Sequence, residues 1–244
     1  MTGPKDSGGI AAQNLRWHLF EDASDLAADA CNRILLAAAE TLLLRPRFRI
    51  ALAGGSTPEP VYCLLSDAVR DWTGWEIYLT DERCLPADDP GRNSLMVLHA
   101  LGGSASLPPR NFHPIPAERG AREGARLYAS LIEEILPFDL VLLGLGEDGH
   151  TASLFPGHHH PPGELVHPVF AAPKPPPERV SLGAATLSLS RAVLVLACGE
   201  QKREAVAAWR RGKDLPIRHI LPPCPIDVLL DRYAAGPDDV IPKT

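Results

Sequence analysis

The stretch that decides the fold runs from Phe138 to Pro156 and reads F-D-L-V-L-L-G-L-G-E-D-G-H-T-A-S-L-F-P. It begins with an unbroken apolar run, Leu140 to Leu143, which is typical of a strand buried on both faces of a parallel sheet. Three glycines then end the run and bring an acid and an imidazole, Asp148 and His150, to the carboxyl end of that strand. Ligands of open α/β sheets bind at this end of the strands, so the stretch predicts a functional loop.

The three glycines of this loop have the spacing of the dinucleotide-binding fingerprint, G-x-G-x-x-G: Gly144, Gly146 and Gly149. That fingerprint requires a long helix that begins at the third glycine and an acid about 20 residues further on. Here Pro156 and Gly157 end any helix after little more than a turn, and the following H-H-H-P-P-G is not a strand. The glycines are therefore predicted to let the backbone turn tightly and present the acid and the imidazole to a ligand.

Composition indicates a cytoplasmic globular protein with one large core. The chain has 244 residues, of which 45% are hydrophobic and 22% charged, and its net charge of −6 argues against general nucleic-acid affinity. Its 5 cysteines are scattered without a C-x-x-C pair, which favours reduced thiols and argues against zinc. No signal-peptide core opens the chain and no apolar run approaches the length of a membrane span. A monomer or weak homo-oligomer without membrane or nucleic-acid partners is expected.

Short apolar strands alternate with helical periods along the chain, which predicts a doubly wound, mostly parallel α/β sheet flanked by helices. The expected strands are 15–20, 48–53, 75–79, 140–143, 192–197 and 227–231, with a further short strand at 166–171. The expected helices are 22–44, one after Pro58, 95–101, 119–136, and one that begins near 199–202. Residues 14–235 are expected to form a single domain, with a flexible leader at 1–13 and a flexible tail at 236–244.

The second predicted strand ends in a glycine-rich turn. Gly54 and Gly55 permit the turn, Ser56 and Thr57 offer hydroxyls and a helix N-cap, and Pro58 suits the first helical position. Such a turn aims free N–H groups and the positive end of the helix dipole at an anion, typically phosphate. A plain, well-capped turn between strand and helix is the alternative. The turn is not a P-loop, because no Gly-Lys-Ser/Thr follows.

Two other strand ends are also polar. The third strand runs into Asp81, Glu82 and Arg83, which taken alone would equally suit a solvated loop. Lys202 falls in the first turn of a helix, where a cation opposes the helix dipole, so an anion is expected nearby. With the loops at Gly54 and Asp148, these residues lie on one edge of the predicted sheet and are expected to form one site. Three adjacent histidines, 158–160, are interpreted as a solvated loop rather than a metal site, since consecutive side chains point in different directions.

Taken together, these stretches resemble the 6-phosphogluconolactonases. The matching pieces are A-G-G-S-T-P (53–58), L-T-D-E-R (79–83), 138–157, E-R-V-S-L (178–182) and G-E-Q-K (199–202). The D-G-H-x-A-S-L-F-P block is specific, whereas G-G-S-T-P is shared with related sugar-phosphate isomerases and deaminases. In glucosamine-6-phosphate deaminase a glutamate that assists ring opening would fall at Phe155. The family's Ser-Asn pair is Arg92-Asn93 here, and its Arg-x-Thr ends in Ser181.

The resemblance implies a sugar-phosphate isomerase-like, modified Rossmann fold and hydrolysis of 6-phospho-D-glucono-1,5-lactone to 6-phospho-D-gluconate in the oxidative pentose phosphate pathway. His150 is the candidate base for water, since neutral imidazole is available near pH 7. Asp148 either orients His150 or binds sugar hydroxyls, and Arg83 is the third catalytic candidate, toward carbonyl or phosphate. The candidate substrate and phosphate contacts are Gly54, Gly55, Ser56, Thr57, Asp81, Arg179 and Lys202. No cofactor and no metal is expected.

Four alternatives to this mechanism or function can be weighed on these residues. Cys84, beside Arg83, is a weaker candidate nucleophile if its pKa is lowered. A serine-hydrolase mechanism is disfavoured because the chain has no G-x-S-x-G elbow. A non-catalytic sugar-phosphate sensor would bind ligand without turnover, and an isomerase or deaminase would release ammonia or interconvert aldose and ketose.

Overall fold

The computed structural model of the protein describes residues 12–102 and 107–236. Most of the predicted leader and tail, namely 1–11 and 237–244, lies outside the described residues. Gln13, which the sequence analysis assigns to the leader, is anchored. Its side-chain amide donates to the carbonyls of Ile217 and Ile220 and accepts a hydrogen bond from the indole of Trp209.

Strands form two sheets in the described part of the chain. In chain order the strands are β1 (Leu15–Phe20), β2 (Phe48–Leu52), β3 (Trp75–Leu79), β4 (Asp81–Arg83), β5 (Phe112–His113), β6 (Leu140–Gly144), β7 (Val166–Val169), β8 (Arg179–Leu182), β9 (Val193–Ala197) and β10 (Ile226–Asp231). Seven form a parallel sheet in the order β1-β10-β9-β6-β2-β3-β5. The other three form a small antiparallel sheet in the order β4-β8-β7.

Seven α-helices lie in the described part of the chain, and five of them fall where the hydrophobic periods predict a helix, whereas the short helices at 184–188 and 232–235 were not predicted. The seven are α1 (Ala23–Leu44), α2 (Glu59–Ala68), α3 (Asn93–Ala100), α4 (Ala121–Ile135), α5 (Ala184–Ser188), α6 (Arg203–Arg210) and α7 (Arg232–Ala235). The first helix follows its sequence signals closely. The Asp22 carboxylate caps it by accepting the N–H groups of Ser24 and Asp25, and Leu26 and Ile34 on its inner face are fully buried.

The chain reverses its direction across the sheet between two adjacent central strands. From β2 the chain proceeds outward to β3 and β5, whereas from β6 it proceeds the opposite way to β9 and β10. Right-handed crossovers therefore put α1, α2 and α3 on one face of the sheet and α4, α5 and α6 on the other. The predicted doubly wound α/β fold is confirmed. The loops that leave β2 and β6 open a crevice at this switch point, which is where such sheets bind ligands.

The structure excludes the solvated-loop alternative for the residues from Asp81 to Arg83. They form β4, a buried strand that pairs antiparallel with β8, with Asp81 opposite Ser181 and Arg83 opposite Arg179, and not a solvated loop. Polar composition concealed this strand because its carboxylates are satisfied inside the protein and not by water. The two-residue strand β5 was not predicted either, since it lies in a stretch expected to be irregular.

Glu82 explains how β4 tolerates a buried charge. Its carboxylate accepts the backbone N–H groups of Asn93 and Ser94 at 2.7 and 2.8 Å, and so caps the amino end of α3 from another element. It also accepts the N–H of Arg83 at 2.8 Å and the guanidinium of Arg92 at 3.3 Å. This cap lets α3 begin at Asn93, two residues before the sequence prediction.

Replacing Glu82 with alanine is expected to lower the free energy of unfolding by about 3–5 kcal/mol. The change leaves the Nε–H of the buried Arg92 guanidinium and two helix N–H groups without their acceptor, although the other guanidinium nitrogens keep Glu118 and the Ile115 carbonyl. Urea denaturation measures the loss. Glu123→Ala, which breaks the exposed pair with Arg126 on α4, is the matched control and is expected to leave the denaturation midpoint unchanged. A Glu82→Ala midpoint equal to that of the control would contradict the expectation.

Candidate active site

A cavity of about 320 Å³ opens at the switch point, at the carboxyl edge of the sheet. Its walls come from the loops after β2, β3, β6 and β9 and from the segment before β8. Nine of the ten candidate site residues line it: Gly54, Gly55, Ser56, Thr57, Asp81, Arg83, His150, Arg179 and Lys202. The tenth, Asp148, does not line the cavity but contacts His150. Residues separated by as much as 148 positions in the chain thus meet around one small space.

His150 and Asp148 form a hydrogen-bonded pair. The Asp148 carboxylate lies 2.5 Å from Nδ1 of the His150 imidazole and also accepts the backbone N–H of His150 at 3.1 Å. Burial acts to raise the pKa of Asp148, but these bonds from His150 outweigh it and bring the pKa to about 2. The carboxylate is therefore ionised at neutral pH and holds a proton on Nδ1, so the neutral imidazole keeps its free lone pair on Nε2.

Gly146 makes room for the imidazole. A Cβ atom at this position would lie 2.0 Å from Nδ1 of His150, so the ring packs directly on the glycine backbone. The backbone N–H of Gly146 donates to the His150 carbonyl at 2.7 Å and closes the loop. Gly149, with φ of +85°, supplies the left-handed turn between them.

Replacing Gly146 with alanine is expected to lower kcat about 10- to 100-fold, because the added methyl group displaces the imidazole and misplaced catalytic groups carry losses of this order. Steady-state kinetics with the lactone that the sequence resemblance implies as substrate measures the effect. Gly163→Ala is the matched control, since Gly163 has open space around a Cβ atom and lies outside the cavity. Equal kcat values for the two variants would contradict this account of Gly146.

Phe155 forms a buried wall behind the imidazole. Its ring centroid lies 4.8 Å from that of His150, and the Arg179 guanidinium sits 5.6 Å from the same ring. Burial is nearly complete, with 1% of the residue exposed. An aromatic ring here shields the back of the imidazole from water and cannot transfer a proton.

Four cationic side chains line the cavity: Arg83, Lys174, Arg179 and Lys202. Burial lowers the pKa of Lys202, with the Glu147 carboxylate opposing the shift, and no carboxylate in the described part of the chain forms an ion pair with its ammonium. Lys202 lies in a short 3-10 turn ahead of α6. The buried Asp231 at the end of β10 positions this turn by accepting the N–H of Gly199 at 2.9 Å. The expectation of an anion near Lys202 fits this unpaired, half-buried charge.

Arg179 and Lys174 belong to one segment. The Arg179 guanidinium donates to the carbonyls of Lys174, Pro175 and Pro176 at 3.0 to 3.3 Å, and burial lowers its pKa while Asp81 opposes the shift. These bonds hold the loop that carries Lys174 at the cavity wall. Lys174 was not predicted as a site residue, because a lysine in a proline-rich segment carries no sequence signal of its position in space.

Asp81 is buried and held by protein donors. The hydroxyl of Ser153 donates to its carboxylate at 2.6 Å, and the amide of Asn93 lies 3.0 Å from its backbone carbonyl. Burial raises the pKa of Asp81, with the Ser153 hydroxyl and Arg179 opposing. Asn93 itself lines the cavity and packs so closely on Gly54 that a Cβ atom there would lie 2.1 Å from the amide. Sequence reasoning noted Asn93 only as part of the Arg92-Asn93 pair.

One detail of the glycine-rich turn after β2 differs from expectation. The residue at the N-cap position of α2 is Pro58, and no side chain caps this helix, so the predicted caps by the hydroxyls of Ser56 and Thr57 are wrong. Gly55 adopts φ of +108°, which turns the chain so sharply that both hydroxyl residues face the cavity and not the helix end.

Several alternatives lose support from these details. No helix follows β6 within residues 145–165, so the dinucleotide fingerprint lacks its essential element. Burial, with Glu178 and Glu82 nearby, raises the pKa of Cys84 to about 11, opposite to the lowering that an activated thiol requires, and Cys84 does not line the cavity. Across residues 12–102 and 107–236, no group of three or more candidate ligands is arranged to hold a metal, and no helix there is long and apolar enough to cross a membrane.

The fold and the cavity define a doubly wound α/β protein with a cation-lined site and a histidine–aspartate pair at the switch point of its sheet. Sequence comparison then gives the family. Residues 21–227 match the family described as "Glucosamine-6-phosphate isomerases/6-phosphogluconolactonase". The chain belongs to this family.

Similar proteins support the assignment. The chain is 34% identical over 218 residues to the 6-phosphogluconolactonase of Streptomyces coelicolor, covering 80% of this chain and 82% of that protein. It is 34% identical over 218 residues to the human GDH/6PGL endoplasmic bifunctional protein, covering 82% of this chain but only 27% of that longer protein. Among solved structures, the 6-phosphogluconolactonase of Trypanosoma brucei superposes with a TM-score of 0.83 at 28% identity, covering 92% of this chain and 98% of that one.

Proposed function

We propose that this protein hydrolyses 6-phospho-D-glucono-1,5-lactone to 6-phospho-D-gluconate. The observation that carries the proposal is the pair formed by His150 and Asp148, set in a cavity whose other walls present four cations. Ester hydrolysis requires a base for water and charge to stabilise an oxyanion, and a phosphorylated substrate requires cations that replace water around the phosphate. The names of the similar proteins support the same reaction.

His150 acts as the base in this mechanism. With its Nδ1 proton held by Asp148, the imidazole accepts a proton at Nε2 from a water molecule as the water oxygen attacks C1 of the lactone. A new C–O bond forms and the C1 carbonyl oxygen becomes an oxyanion. When the bond between C1 and the ring oxygen breaks, the imidazolium returns its proton to that oxygen and a carboxylic acid remains at C1. This acid gives its proton to solvent, because its pKa lies well below neutral pH, and the product leaves as a carboxylate. The charge of Asp148 stabilises the transient imidazolium.

The cations divide between the oxyanion and the phosphate. Arg83 is held on the cavity wall by donating one Nη1 hydrogen bond to the Gly91 carbonyl at 2.6 Å, and it serves the carbonyl oxygen or the phosphate. Lys202 and Lys174 bind the phosphate together with the turn that contains Ser56 and Thr57. Arg179 contributes its charge and keeps the Lys174 segment in place.

Phe155 favours hydrolysis over deamination. In the related deaminase block a glutamate stands at this point and assists ring opening through the histidine. Here a buried phenyl ring packs on His150 and offers no proton-transfer group. A water-mediated attack that uses the imidazole alone is compatible with that wall.

The setting of the reaction is part of the same proposal. We place it in the oxidative pentose phosphate pathway and in the cytoplasm, with support from the five cysteines, all of them free. The chain is proposed to act as a monomer or weak homo-oligomer, without a nucleic-acid or membrane partner.

Lactone decay tests the proposed function. The lactone is generated by enzymatic oxidation of glucose 6-phosphate, and its disappearance is followed with and without the protein, because the lactone also hydrolyses slowly unaided. Strong acceleration supports the proposal. Unphosphorylated glucono-1,5-lactone should give a kcat/KM at least about 100-fold lower, because it lacks the phosphate that would form several charge-assisted hydrogen bonds. No acceleration combined with a raised Tm in 6-phosphogluconate would instead indicate a non-catalytic sensor. Ammonia release from glucosamine 6-phosphate would indicate a deaminase.

A further inference from the structure

Glu147 is an acid placed beside a cationic site. Its carboxylate lies 3.8 Å from the ammonium of Lys174, and it directly precedes the Asp148 that holds His150. The same carboxylate acts on the ammonium of Lys202 and opposes the burial-driven lowering of the Lys202 pKa. Glu147 thus influences two of the four cations that line the cavity.

Stability does not explain this placement. The side chains of Glu147 and Lys174 are 53% and 55% exposed, and exposed ion pairs of this kind contribute little to folding. No other hydrogen bond or ion pair of the Glu147 carboxylate is found in the described part of the chain. The negative charge of Glu147 instead weakens the attraction of the site for anions. A carboxylate at this position is therefore unfavourable for tight binding of phosphate.

The charges of substrate and product give this reduction a consequence. The phosphate of the lactone carries about two negative charges near pH 7, and hydrolysis adds a carboxylate, so the product carries about three. A cavity with four cations therefore holds the product more tightly than the substrate on electrostatic grounds alone. Strong retention of the product would inhibit turnover.

We propose that Glu147 is a specificity-determining counter-charge that weakens binding of the trianionic product more than binding of the dianionic substrate, and so favours product release. The inference rests on the proposed lactone hydrolysis. Glu147 does not itself line the cavity, and it acts on the site through its ion pair with Lys174 and the field that its charge exerts on the cavity.

The charge ratio predicts the size of the effect. Removing the negative charge of Glu147 relieves its repulsion of a ligand in proportion to the charge of that ligand. The logarithm of the gain in affinity for the product should therefore be about 3/2 of the logarithm of the gain for the substrate. If Glu147→Gln lowers KM about threefold, the product inhibition constant should fall about fivefold. Both changes should shrink as ionic strength rises, because an exposed carboxylate is screened by salt.

Steady-state kinetics with added 6-phosphogluconate, at low and high salt, tests the inference on the wild type, Glu147→Gln and Glu123→Gln. Glu123 pairs with Arg126 on α4 and does not line the cavity, so its variant controls for loss of one surface charge. The expected result is product inhibition tightened more than KM is lowered, only in Glu147→Gln and mainly at low salt. Unchanged inhibition, equal changes in both constants, or the same change in Glu123→Gln would overturn the inference. Absence of hydrolysis by the wild type would reject the proposed function instead.

Discussion

Replacing His150 with alanine is expected to lower kcat for lactone hydrolysis about 10²- to 10⁴-fold, the contribution typical of a positioned general base. KM should change little, because the cations that hold the phosphate remain in place. The loss is measured by following lactone decay spectrophotometrically, at an enzyme concentration that makes the catalysed rate exceed the spontaneous rate of hydrolysis. The effect is large because the remaining groups of the cavity offer no second imidazole: of the described histidines, only His150 lines it.

His219→Ala is the matched control for His150. His219 contacts Asp214 at 2.8 Å and so forms another histidine–aspartate pair, but it lies outside the catalytic cavity and its side chain is 49% exposed. Its loss should leave kcat within about twofold of the wild type, as surface substitutions away from special features are nearly neutral. A folded His150→Ala protein with near-wild-type kcat would rule out His150 as the base.

Replacing Asp148 with asparagine is expected to lower kcat about 10²- to 10⁴-fold, with KM again little changed. A neutral amide donates to Nδ1 as readily as it accepts, so the imidazole proton is free to move to Nε2, and the base is lost in that tautomer. The amide also provides no charge to stabilise the imidazolium. Asp214→Asn, which alters the partner of His219, is the control, and kcat within threefold of the wild type in Asp148→Asn would contradict an orienting role.

The pH dependence of this pair follows from the low pKa of Asp148. A carboxyl group whose pKa is lowered on folding stabilises the folded state above its ordinary value of about 3.9 and loses that contribution as the pH falls through the folded value. For Asp148 the folded value is about 2, so its contribution is complete above about pH 4 and is lost between about pH 4 and 2. Thermal unfolding of the wild type and Asp148→Asn should therefore converge only in that acidic range.

The sequence determined the architecture because buried strands and helix faces appear in it as local patterns of apolar residues. The apolar run Leu140 to Leu143 is buried on both faces as β6, and the helical spacing from Leu26 to Ala38 became the inner face of α1. Glycines and hydroxyl residues just after strands marked the loops at the ligand-binding edge. Parallel strands end together, so these loops meet, and the candidate site was predictable to nine of its cavity-lining residues.

Only the tertiary structure decided what depends on partners distant in the chain. The sequence left open whether Asp81 and Glu82 lie in a solvated loop. Pairing with β8, about 100 residues further on, and hydrogen bonds to the amino end of α3 decide against it. Lys174 reaches the cavity because Arg179 holds the carbonyls of its segment. Asp148 does not line the cavity and contacts His150, whose imidazole packs on Gly146. Hydrophobic periodicity indicates which faces of an element are buried. The partner of a buried charge depends on packing between elements that are distant in the sequence, so periodicity does not reveal it.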